Sequence, residues 1–133
     1  FIIDSEDGTV PIARNVFDLT KEGYAVCGGN VPRNATLSLG SLDYDDVIET
    51  TTSLMRAIEK TAQARNALIF SCMSRNIALG VETLAEMETI RNTLQGRVTY
   101  QFSYSGGELS LVDDRAGNAV KRFQNDTIVA CIL

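Results

Sequence analysis

Histidine is absent from this chain, and that absence excludes more chemistry than any other feature of the composition. Without imidazole there is no Cys-His or Ser-His-Asp nucleophile system, no histidine-containing zinc site and no use of the commonest general base. Cysteine is scarce. Cys27, Cys72 and Cys131 are widely spaced, odd in number and form no C-x-x-C pair, which argues against a disulfide framework and for a reducing, cytoplasmic setting. No apolar run approaches the roughly 20 residues of a membrane-spanning helix. The opening "FIIDSEDG" has neither a basic n-region nor a long apolar stretch, so it is not a secretory signal. It starts on apolar residues without an initiator methionine and reads as a segment of a longer protein. Basic residues are also in short supply: 12 Lys and Arg against 17 Asp and Glu give a net charge of −5. No basic stripe is concentrated enough for a nucleic-acid surface or for membrane binding. The acidic clusters "DSEDG", "DYDD" and "ETLAEME" read as solvated faces and helix caps.

What is present is enough apolar material, 44% of 133 residues, for one core in a single domain spanning 1–133. The first forty residues alternate short apolar runs with turn signals, from "FII" through "TVPIARNVF", "YAVCGG" and "ATLSLG"; these read as short strands. The period then changes. Between Leu42 and Asn66, the positions Val47, Ile48, Thr51, Leu54, Met55, Ile58 and Ala62 follow one helical face. Asp43 is placed as N-cap, with Asp46 three residues on. "ALIFSC" at 67–72 reads as a buried strand, and a strand near 35–40 would be joined to it by a helical crossover if the two pair in parallel. A second helix is expected over "VETLAEMETIRNTLQG", with Thr83 and Glu86 at capping-box spacing, Leu84, Met87, Ile90 and Leu94 on one face, and Gly96 as the stop. From Arg97 onward the pattern returns to strands. The expected fold is α+β, with two long helices packed on a largely antiparallel mixed sheet.

"FSCMSRNIALG" at 70–80 is the most chemically loaded passage. On a central strand, Cys72 reads either as a small inert hydrophobe or as a thiol at the strand end beside Arg75, whose guanidinium would stabilise a thiolate. The spacing does not fit a phosphatase loop. Arg75 itself reads either as a surface ion pair or as an anchor for a carboxylate or phosphate. In "YSGGELSLV", Gly106 and Gly107 make a hairpin turn that also admits close approach of a ligand, with Glu108 beside it as acceptor for an amine. Asn125 begins the turn before the last strand in "FQNDTIVACIL", and Arg14 in "PIARNVFD" stands at the end of an early strand where it can join Arg75.

In their order and spacing, "ALIFSCMSRNIALG", "YSGGELSLV" and "RFQNDTIVACIL" resemble the FIST C-terminal domain, and "VPIARNVFDLTKEGYAVCGGNVPRNATLSLG" resembles its start. That resemblance implies a sensory module of bacterial signalling chains, paired with an N-terminal FIST domain and a signalling partner, and binding small ligands, amino acids among them. On the family pattern Cys72 and Arg75 occupy a C-x-x-R motif, Gly107 and Glu108 a G-E pair, and Asn125 a late N-x-T. Ser74 departs from the glycine often found there. The candidate ligand set is Arg75, Cys72, Glu108, Gly107 and Asn125 on the family motifs, joined by Arg14. The charge complement of a free amino acid then sets Arg75, with Arg14, on its carboxylate and Glu108 on its ammonium, and no cofactor or metal is expected. Two alternatives from other classes are a cysteine-dependent enzyme using Cys72 and a structural dimerisation or docking domain.

Overall fold

The computed structural model describes residues 1–4, 11–61, 65–114 and 116–133. The "DSEDG" turn, Ala62 and the middle of the "DDRAGN" turn fall wholly or partly outside them. In chain order the elements are β1 (Ile2–Ile3), β2 (Ile12–Ala13), β3 (Val16–Leu19), β4 (Ala25–Cys27), β5 (Leu37–Ser38), α1 (Tyr44–Lys60), β6 (Asn66–Cys72), α2 (Met73–Ala78), α3 (Ala85–Leu94), β7 (Thr99–Ser105), β8 (Glu108–Asp113), β9 (Ala119–Gln124) and β10 (Ile128–Ile132).

Helix α1 forms where the periodicity placed it. Asp43 accepts from the Asp46 amide and Asp46 returns a bond to the Asp43 amide, so a reciprocal capping box starts the helix. Val47, Thr51, Met55 and Ile58 recur at three- and four-residue spacing and are the residues it buries. Strand β6 is central in a three-stranded sheet of order β10-β6-β7. The register sets Ile69 opposite Ala130 on one side and Phe102 on the other. Side chains alternate across a strand, so Ala67, Ile69 and Ser71 share the face that packs on α1 and α3. Met55, Ile58, Ala67, Ile69, Ile90, Leu94 and Val98 form the core cluster there.

The expected two long helices on one largely antiparallel sheet are overturned. Among the described residues only α1, with 17 residues, is long; α3 has 10. The strands fall into separate small sheets, with β2-β1-β5, β3-β4 and β8-β9 outside the central one. The second helix is shorter because Gly80 takes a φ of +60° and two successive turns, Glu82 to Leu79 and Ala85 to Glu82, precede it. The capping box expected from Thr83 does not form: Leu84 is the N-cap, without a side-chain bond. Leu84 and Met87 stay exposed, while Ile90 and Leu94 are buried. The crossover is also reassigned. β5 pairs antiparallel with β1, and the parallel partner of β6 is β7, reached through α2 and α3.

Candidate functional site

Residues 123–127, the end of β9 and the turn into β10, are the point on which distant segments converge. Arg14, after β2, donates through Nη1 to the Phe123 carbonyl at 3.0 Å. Asn15 donates its backbone N–H to Asn125 Oδ1 at 3.3 Å and its side-chain amide to Asp126 Oδ1 at 2.9 Å. Ser74, in α2, donates its hydroxyl to the same Asp126 oxygen. The Cys72 amide donates to the Thr127 carbonyl at 2.9 Å, and Thr127 Oγ1 donates to Glu108 Oε2 at 2.7 Å. Asp126 holds a φ of +63°, a left-handed conformation that aspartate tolerates better than most residues and that the surrounding bonds fix.

Arg75 lies under this turn, 1% exposed. Its Nη2 contacts Glu86 Oε1 at 2.8 Å and donates to Thr51 Oγ1 and the Val47 carbonyl at 2.9 and 3.0 Å. Nε donates to Glu86 and Ser71, and Nη1 to Thr50 and the Asp126 carbonyl. All three guanidinium nitrogens are thus engaged within the protein. Glu86 is fully buried and also accepts from Thr51 and Ser71 at 2.9 Å each. Such a pair is stable only where hydrogen bonds complete it, and here α1, β6 and α3 all supply them. Glu86, Thr51 and Ser71 were not legible as its partners. The T-x-x-E spacing gave Glu86 a capping role, and Thr51 read only as one more position on the buried helical face.

Glu108 is 3% exposed and accepts from Ser105 at 2.6 Å as well as from Thr127. Burial pushes its carboxyl above the ordinary carboxylate value, opposed by those two hydroxyls and by Arg75 and reinforced by Asp126. A folded-state pKa above the unfolded one means that the folded form holds the proton more tightly. The stability tied to this group is complete below the unfolded value and is lost as pH rises through the folded value. Glu108→Gln is therefore expected to gain stability relative to the wild type as pH rises from about the ordinary glutamate value of 4.5 toward neutrality. Urea unfolding at several pH values checks this, and a pH-independent difference would contradict it.

Arg14 is 7% exposed. Nε donates to the Asn30 carbonyl at 3.1 Å and Nη1 to the Ala13 carbonyl at 2.8 Å. Its guanidinium carbon sits 5.5 Å from the centre of the Phe123 ring, within cation–π range. Burial lowers its pKa, partly offset by the Cys27 thiol; a guanidinium stays charged throughout. Nη2 makes no hydrogen bond among the described residues. Arg14 lines a cleft of about 700 Å³. Asn15, Ser74 and Asp126 are its other polar contributors near the turn, and Val16, Leu19, Leu39 and Ile77 supply apolar walls.

Of the six residues read from sequence, all stand around the 123–127 turn, but only Arg14 opens onto the cleft. Cys72 is 3% exposed, with Sγ 3.0 Å from the Ser74 hydroxyl. Gly107, at φ +141°, backs onto Phe123 and Asn125. Asn15, Ser74 and Asp126 face the cleft without having been singled out for binding. Asparagine, serine and aspartate in loops read first as turn formers, and no local pattern brings residues 110 positions apart together.

The fold and this turn-centred site define a small α+β domain with a charged cleft that Arg14 and Asp126 line together with residues of the N-terminal strands and α2. The family model of the FIST C domain matches residues 1–110, and the chain belongs to that family of sensory signal-transduction domains. The match includes Arg14, Cys72, Arg75, Gly107 and Glu108 and ends within β8, before Asn125. No curated protein and no solved structure matches the chain. Among the described residues, no helix is long and apolar enough to cross a membrane.

Proposed function

We propose that the domain senses a small zwitterion of the amino-acid class, held in the cleft between Arg14 and Asp126. The observation that carries this reading is a guanidinium with an unused Nη2 edge and a carboxylate lining one cleft. A free amino acid presents a carboxylate and an ammonium, and these two groups are the minimal complement to it. Arg14 takes the acid group. Asp126 takes the ammonium through Oδ2, since Oδ1 already accepts from Asn15 and Ser74. Glu108 supports the turn from below through Thr127, adding negative potential on the same side. Arg75 fixes the turn through the Asp126 carbonyl and positions the site. Val16, Leu19, Leu39 and Ile77 offer apolar surface to the ligand's side chain.

A thermal-shift panel of free amino acids tests the reading. At a hundredfold excess over Kd a ligand adds about 2.7 kcal/mol of stability, and roughly 2 °C or more of melting shift per kcal/mol follows for a domain of this size. At least one amino acid is expected to raise the melting temperature saturably. A panel with no shift at millimolar concentrations would overturn the proposal.

A further inference from the structure

Asn125 is 1% exposed, yet its Nδ2 has no hydrogen-bond partner among the described residues. Oδ1 accepts the Asn15 N–H at 3.3 Å, so the amide nitrogen points the other way. Buried donors are almost always satisfied, and one left open marks a place where a partner is missing. What closes the space around it is aromatic. A Cβ built on Gly107 would lie 3.1 Å from Asn125 Nδ2 and 2.5 Å from Phe123 Cζ, so the ring and the open donor share the ground above that glycine. On the far side of the amide, a Cβ on Gly28 would lie 3.1 Å from Oδ1 and 2.6 Å from Phe17 Cε2.

Phe123 is the more telling of the two rings. It is 36% exposed, on the two-stranded β8-β9 sheet and outside the central sheet. The Arg14 guanidinium stacks on it, and that same guanidinium carries the other unpartnered donor edge. Gly29 lies against Arg14 and Gly28 against Asn125, so the two side chains meet two adjacent glycines. Two buried side chains with spare N–H groups, one stacked on the Phe123 ring and the other beside the same glycine as that ring, make a latent site for an acceptor.

We propose that Phe123 gates this site, and that a carboxylate entering from the cleft displaces the ring to take Asn125 Nδ2 as its second donor beside Arg14 Nη2. This rests on the cleft reading above and adds to it a residue, a gate and a route for the signal. A carboxylate that engages Arg14 competes with the stacking that holds Phe123 in place. The ring then swings and β9 carries the change to the outer face of its hairpin. Asp126 and Glu108 close by disfavour a dianion, so the site takes a carboxylate in preference to phosphate.

The test is ¹⁵N–¹H NMR of side-chain N–H signals during titration with glycine and pooled free amino acids, with inorganic phosphate as a second probe. The Asn125 pair is identified by its loss in Asn125→Asp, which keeps the acceptor for Asn15. The Asn125 pair is expected to shift saturably together with Arg14 Nε–H on amino-acid addition, and not with phosphate. Phe123→Leu, whose backbone spectrum reports its folding, is expected to bind at least about threefold more tightly because less of the population holds the gate shut. If Arg14 moves while the Asn125 pair stays, or if Phe123→Leu binds no better, the gate is overturned and the cleft reading stands. If neither side chain responds to any amino acid, both fall.

Discussion

Replacing Arg75 by methionine is expected to lower the unfolding free energy by about 3–5 kcal/mol, the usual cost of removing one partner from a buried ion pair. That is a large share of a total of roughly 5–15 kcal/mol for a domain. The loss follows from what would remain. Glu86, fully buried, would keep the neutral Thr51 and Ser71 hydroxyls as donors but no charged partner among the described residues. The Val47 carbonyl and Thr50 would each lose a charged partner. The double variant Arg75→Met, Glu86→Leu removes both charges and is expected to recover part of the loss, but not all of it, since Ser71 and Thr51 would then face apolar groups. Urea unfolding of the three proteins checks this. An Arg75→Met variant within about 1 kcal/mol of wild type would show that the guanidinium is not what joins α1, β6 and α3, a loss far below that of breaking a buried pair.

Arg14→Lys is expected to weaken binding of a carboxylate ligand at least about tenfold, or roughly 1.4 kcal/mol. Lysine keeps the charge but not the planar fork. In the wild type, Nε and Nη1 fix the fork on the Asn30, Ala13 and Phe123 carbonyls and leave Nη2 without a partner among the described residues. An ammonium on a flexible stem cannot hold those carbonyls and a ligand together. Calorimetry with the strongest amino acid of the thermal-shift panel reads the effect, and unchanged affinity would remove Arg14 from the site.

The contrast between the two arginines shows where the sequence is informative. Helix α1 was legible because its period, its Asp43–Asp46 cap and its buried face all come from local spacing. The strand at Asn66–Cys72 and the strands after Arg97 were legible for the same reason. Helix α2 was not: six residues with Cys72 as a cap that makes no side-chain bond leave no start signal. Strand pairing was not legible either, since the parallel partner of β6 is chosen by packing after α3 and not by composition. At the site, the motif C-x-x-R marked the right neighbourhood. Which arginine faces inward depends on Glu86, and Glu86 carries a spacing that reads equally well as a helix cap. Arg14 shows nothing unusual in its own segment. Its meaning comes from Phe123, a residue 109 positions away.

The claim that the cleft reads both charges of an amino acid is tested most directly by calorimetric titration with one bound amino acid and two analogues, one lacking the ammonium and one lacking the carboxylate. Pairing through Arg14 and Asp126 predicts that each analogue binds at least about tenfold more weakly than the parent. An analogue that binds as tightly as the parent would contradict it.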